Sequence, residues 1–196
     1  MLTSALYWLS AGLMIPVIVL LLLAVGWSLL LLGDVYGDFS SRLRHRASLE
    51  ALAESAERGE LDSLPIEAVT RGESSFARHL QRLVDHDWQP TRCEKVLADH
   101  ALATRRDLDT SLTLMRVGPM LGLMGTLIPM GPALAGLASG DIASMATNMQ
   151  VAFSTTVVGI FVGAVGFMVQ TAKKRWHQAD HDLLAYVVDL IQEARQ

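Results

Sequence analysis

The sequence predicts an all-α integral membrane protein: three transmembrane helices with long cytoplasmic helical extensions. Three observations predict it. Of 196 residues, 51% are hydrophobic and only 18% charged, whereas a soluble domain carries about 25% charged residues. Charged side chains are missing from Met1 to Gly33, from Val117 to Gly140 and from Ile142 to Ala172. Each run exceeds the roughly 20 apolar residues that cross a bilayer as a helix. Outside these runs apolar residues recur at helical steps, with no strand alternation, internal repeat or low-complexity tract. Together these features exclude a soluble enzyme, a disordered tail and a disulfide-stapled secreted domain. The net charge of −4 argues against a nucleic-acid partner, and Cys93, the only cysteine, rules out an intrachain disulfide.

Residues 1–33 form the first span. A cleaved signal peptide would need a basic start and an apolar core of roughly 7–15 residues. Met1–Ser10 holds no Lys or Arg, and Leu13–Leu32 is long enough to span. Pro16 either kinks this helix or sits within its first turns. Tyr7, Trp8 and Trp27 suit the two membrane–water interfaces.

Residues 34–116 form a cytoplasmic helical region. Ser41–Arg58 is rich in Leu, Ala, Glu and Arg and ends at Gly59. Leu64-Pro65 restarts a helix, Gly72-Glu73-Ser74-Ser75 breaks it, and Phe76–Asp87 forms a short apolar-periodic helix. Pro90-Thr91 opens a longer one, in which Leu97, Ala101, Thr104, Leu108, Leu112 and Met115 recur at helical steps. No breaker separates it from the second span, residues 117–138, so one helix is expected to carry both. Residues 139–148 are a short external loop and 149–172 the third span. In the cytoplasmic amphipathic helix 173–196, Trp176, Leu183, Leu184, Val187, Leu190 and Ile191 keep one face apolar while Asp180, Asp182 and Asp189 stay polar. That stripe must be buried, against the 34–116 helices or the same tail of a neighbouring subunit.

Orientation follows from basic residues near the membrane ends. Arg42, Arg44 and Arg46 follow the first span, Arg105, Arg106 and Arg116 precede the second, and Lys173-Lys174-Arg175 follows the third. The N-terminal tail has no basic residue, and the second and third spans are linked by a stretch whose only charge is Asp141. The expected topology therefore places the N-terminus outside and the C-terminus in the cytoplasm.

The second and third spans differ in kind from the Leu/Val-rich first. Gly118, Gly122 and Gly125, with Pro119, Pro129 and Pro132, crowd the second; Ala152, Gly159, Gly163 and Gly166 mark the third. Gly118/Gly122 and Gly159/Gly163 are small-xxx-small pairs that let helix backbones approach closely. Thr126, Thr155 and Thr156 add hydroxyls within the spans, and Gln150 lies nearer the outer end. A lone membrane Thr can simply bond its own helix. Here Ala152, Thr156, Gly159 and Gly163 share one face, a smooth wall that suits either a water-lined pore or a partner helix.

Pro119-Met120-Leu121-Gly122-Leu123-Met124-Gly125-Thr126 resembles the second-helix signature of the MotA/TolQ/ExbB proton-channel family, Pro-x-x-Gly-Leu-x-Gly-Thr. Ala152-Phe153-Ser154-Thr155-Thr156-Val157-Val158-Gly159 is similar to the family's Ala-x-x-x-Thr-x-x-Gly in the next helix. Three spans resemble the ExbB/TolQ branch more than the four-span flagellar stators. The resemblance implies a homo-oligomeric ring, usually a pentamer, in the inner membrane of a bacterial or archaeal cell. It also implies a single-span ExbD/TolR-like partner carrying a membrane aspartate. Such complexes turn proton, sometimes sodium, flow into work on another envelope or transport system. Thr126 and Thr156 match the family's pore-facing threonines, and Thr155, Gln150 and Ala152 join them as candidate ion-path residues. Where ExbB and TolQ carry a glutamate, five residues before the third-helix threonine, this chain has Val151. With no acidic or basic side chain in any span, the subunit cannot relay protons alone; the partner's aspartate must carry the proton.

Weaker signals weigh toward ordinary roles. Asp141 is a candidate outer mouth or a helix terminator. His177 and His181, four apart around Asp180, have metal-ligand spacing but no third strong ligand, so no metal is expected. Asp85-His86-Asp87 reads as a solvated turn. Cys93 lacks a histidine partner and no phosphate-cradling loop occurs, so neither catalysis nor a cofactor is expected. The rival readings are a non-conducting scaffold and an accessory subunit energising metal or corrinoid uptake.

Overall fold

A computed structural model describes residues 2–57 and 75–195 of the chain. Among them it is all-helical, in the order α1 (Leu2–Glu57), α2 (Ser75–Asp85), α3 (Pro90–Ala138) and α4 (Ile142–Ala194). Three of these, α1, α3 and α4, are long and apolar enough to cross a membrane. The expected helix end at Gly59, the restart at Leu64-Pro65 and most of the break at 72–75 lie outside the described residues.

Continuity is the main difference from the expected elements. The first span and the Ser41 helix are one helix, running through Gly33 and Gly37 without a break. Pro16 is interior to it rather than in its first turns. In α3 the absence of a breaker has the predicted consequence, a single helix from Pro90 to Ala138. Residues 142–148, expected in a loop, are instead the opening turns of α4. Asp141 explains this: its Oδ1 accepts the Ser144 N–H at 2.9 Å, satisfying a donor that a helix start leaves open.

The chain divides into two compact units, Met1–Asp34 with Thr110–Gln170 and Val35–Asp109 with Thr171–Gln196. In the first, each helix buries one face at alternating steps of three and four. These faces are Val17, Leu21, Ala24, Ser28 and Leu31 on α1, and Ser111, Leu114, Gly118, Leu121, Gly125 and Ile128 on α3. On α4 the face is Ala152, Thr155, Gly159, Val162, Gly166 and Val169. That 3.5-residue period is the spacing of left-handed knobs-into-holes packing. Large apolar side chains point the other way: Leu30, Leu127, Phe153 and Val157 are each more than 60% exposed.

The second unit has a core of the opposite kind. Phe76, Leu80 and Leu83 of α2 and Cys93 and Val96 of α3 meet Leu184, Val187, Val188 and Ile191 of α4. The apolar stripe of the C-terminal helix is thus buried by α2 and α3 of its own chain. Trp88 joins this core from the α2–α3 turn, where Asp87 and Trp88 both have positive φ, 49° and 54°. Such values are uncommon for bulky residues; burial of the indole holds the turn there. Leu184 has no solvent exposure. Leu184→Ala is therefore expected to cost about 2–5 kcal/mol, measured as a lowered denaturant midpoint for the second unit's helices.

Candidate functional site

The glycines of the second and third spans meet within one chain. A Cβ on Gly118 would stand 2.9 Å from the Gly159 carbonyl oxygen and from the Gly163 nitrogen. On Gly122 it would meet the Gly159 Cα at 3.2 Å, and on Gly159 it would reach the Gly122 Cα at 2.6 Å. These are backbone atoms with no rotamer to yield, so α3 and α4 are in direct main-chain contact. Further along the seam, a Cβ on Gly125 would meet the Thr155 Cβ and Oγ1, both at 2.6 Å.

Thr155, not Thr156, therefore occupies the seam. The shared face expected from small residues placed Thr156 in line with Ala152, Gly159 and Gly163. The observed buried face passes one residue earlier, through Ala152, Thr155, Gly159 and Val162. The alternation of three and four steps along α4 is the sequence signal that points to Thr155. Its hydroxyl lies 3.0 Å from the Val151 carbonyl and 2.9 Å from that of Ala152. Thr156 is half-buried and donates to Ala152 O at 3.0 Å; Thr126, also half-buried, donates to Leu123 O at 2.7 Å. Each donates to its own helix, leaving oxygen lone pairs free to accept. Gln150 is exposed, and Asp141 is an exposed helix cap.

Several basic residues read as orientation signals have protein partners in the second unit. Arg42 forms a two-pronged pair with Asp180 and lies over the Trp176 ring, 5.4 Å from its centre. Asp180, expected on the polar face, is consequently buried. Lys173 is buried and donates to Asp107 at 3.0 Å, with Asp38 at 3.9 Å. The side chains of Arg44 and Arg46 lie outside the described residues. His177 bonds Asp107 at 2.8 Å; this bond, then that from Lys173, hold the carboxyl down to about 2 against the opposing effect of burial. No group of three metal-ligating side chains comes together among the described residues. The Cys93 thiol is buried, and burial pushes its pKa up, which makes it a poor nucleophile.

A histidine cluster escaped the sequence reading. His79 of α2, His100 of α3 and His181 of α4 lie in series, the first two rings tilted with centroids 4.8 Å apart and the last two edge-on at 6.0 Å. His100 is buried, and neither of its nitrogens has a hydrogen-bond partner among the described residues. Burial, then repulsion from His79 and His181, lowers its pKa from 6.5 to about 4.

The model of one protein family, the MotA/TolQ/ExbB proton channel family, matches residues 68–183, more than half of the chain. The chain belongs to the MotA/TolQ/ExbB proton channel family. No curated protein and no solved structure matches it. The matched stretch includes the whole α3–α4 seam and all three threonines. Membership in a family of channels rather than enzymes, with three spanning-length helices, makes this a multi-pass membrane protein of channel type.

Two predictions follow from the geometry of this MotA/TolQ/ExbB chain. Gly159→Ala should open the seam and lower the thermal midpoint sharply, whereas Gly26→Ala, with nothing within 4 Å, should leave it unchanged. Gly125→Ala should be partly relieved by Thr155→Gly, because the second change removes the Cβ and Oγ1 atoms that the new methyl would meet. For His100, a folded-state pKa below the unfolded value means that the unfolded chain binds the proton more readily. Stability should hold above about pH 6.5 and fall by on the order of 3 kcal/mol as pH drops toward 4. His100→Leu should flatten that slope in pH-dependent unfolding; an unchanged slope would assign it to other groups.

Proposed function

We propose that this chain is the ring-forming subunit of an ion-driven motor in the inner membrane of a bacterial or archaeal cell. In this reading five copies surround the single membrane helices of an ExbD/TolR-like partner. The N-terminus faces outward and the cytoplasmic side holds residues 34–116 and the C-terminal helix. Family membership supports a channel-type role, and the lack of Lys and Arg in the N-terminal tail and in the link between the second and third spans supports the orientation.

The observation that carries the mechanism is the absence of any acidic or basic side chain from all three charge-free runs. An ion cannot be relayed by these helices alone, because a proton path through a membrane protein is built from titratable groups. The partner's aspartate therefore binds the ion. Thr126 and Thr156, half-buried with acceptor lone pairs free, hydrate it together with water. Gln150, exposed near the outer end, is placed to receive it first. One charge crossing the field releases about 2.3 kcal/mol per 100 mV, enough to shift or rotate a helix against its packed neighbours.

A second reading, a non-conducting scaffold, is favoured by Val151 at the position where the resemblance to ExbB and TolQ would put a glutamate. Ion flux separates the two. With the co-expressed partner in proteoliposomes, Thr156→Val should reduce flux and coupled output at least ten-fold while the complex still assembles. Unchanged flux would reject the hydroxyl path, and no flux from the wild-type complex would establish the scaffold.

A further inference from the structure

The second unit carries two exposed faces of opposite charge that its own interior leaves unused. One is a cleft between α2 and the first half of α3. Two adjoining hollows of about 390 and 320 Å³ share Arg82 and Asp99. Arg78 and Arg82 supply one wall, and Arg92, Lys95 and Arg106 the other; Asp99 is the sole carboxylate among the described lining residues. In a chain of net charge −4 this is a local reversal of sign. No ion pair among the described residues engages Arg78, Arg82, Lys95 or Arg106.

The other face lies on α4. Asp182, Tyr186, Asp189 and Glu193 are all exposed, on the side of the helix opposite Leu184, Val187 and Ile191, which enter the core. No ion pair among the described residues engages these three acids either. Their spacing, steps of four, three and four, is also that of Lys95, Asp99, Leu102 and Arg106 on α3. Each face therefore runs about 16 Å along its helix. Each also places one side chain with apolar surface among its charges: Leu102, 49% exposed, on α3 and Tyr186, 44% exposed, on α4.

From these matched faces we infer that the basic α2–α3 cleft of one copy seats the acidic face of α4 from a second copy. The two faces do not meet within one copy, yet they agree in length and spacing and oppose in charge. Two different patches of one chain that complement each other make a head-to-tail contact, the kind that closes into a ring when its rotation allows. The inference rests on the ring reading above and names the contact that sets its register. Exposed ion pairs add little to stability singly, but opposed fields steer association and penalise wrong registers. Leu102 and Tyr186 supply contact area that excludes water between the charges.

The test uses the full chain, co-expressed as two differently tagged copies in a membrane-mimetic disc, in a Cys93→Ser background. A control keeps Cys93, whose thiol is buried. One copy carries Lys95→Cys and the other either Asp182→Cys or Glu193→Cys, and a short bis-maleimide probes proximity. One of the two pairs should give a cross-tag product, and which one it is reads the direction of the helices. R78E/R106E in the first copy should cut the yield at least ten-fold, and charge reversal in the second, D189K/E193K with Asp182→Cys or D182K/D189K with Glu193→Cys, should restore it. An oligomer of unchanged subunit number without the product, or a product indifferent to charge reversal, would overturn the contact alone. So would cross-linking of position 95 to a different protein or its protection by acidic lipid vesicles. A wild-type chain that stays monomeric would overturn the ring reading and this contact with it.

Discussion

At Gly118 and Gly159 two helices approach so closely that no methyl group fits between them, and at Gly122 one would be tight. The first unit is organised around that contact. Lipid tails are as apolar as leucine, so spanning helices gain little by hiding large side chains from them. They gain by dispersion over a close, continuous surface, and a glycine seam provides it. The same logic puts Leu127, Phe153 and Val157 on the outside, where lipid can meet them. It also explains why the buried faces of α1, α3 and α4 are rich in Gly, Ala, Ser and Thr.

The second unit obeys the rules of water. Its core is Leu, Val, Ile, Phe and Trp, its long apolar stripe is covered by α2 and α3, and its charged groups are either exposed or paired. Arg42 with Asp180, and Lys173 with Asp107, show how burial is tolerated: each buried charge has an opposite charge at hydrogen-bond distance. His100 is the exception, neutral and unpartnered among its described neighbours. Its low pKa is the consequence, since protonating it would place a charge beside two other imidazoles.

A motor subunit in which none of the three charge-free membrane runs holds an acid has a consistent physical design. Hydroxyls that have already donated to their own helix cannot compete for a proton, but they can still accept a hydrogen bond from a hydrated one. In the proposed ion path such a wall is polar enough to wet and too inert to trap the ion. In the mechanism we propose, binding and release are left to a partner side chain, whose movement the ion controls.

Much of this was readable from residue order alone, because it depends on local properties. Charge-free runs specify spanning helices, an unbroken helical period joins Pro90 to Ala138, and the Pro119–Thr126 pattern locates the glycine-rich helix and its family. The phase of each buried face was not readable in that way. Small residues drew attention to Thr156, while packing turned Thr155 into the seam, since the face is selected by a 3.5-residue repeat against neighbouring helices. Asp180 looked solvated until Arg42, 138 residues away, was brought against it. His79, His100 and His181 carry no common spacing; three helices converging on one core create their cluster. Sequence periodicity states which residues prefer to be hidden, but which neighbour hides them depends on how separate helices are assembled.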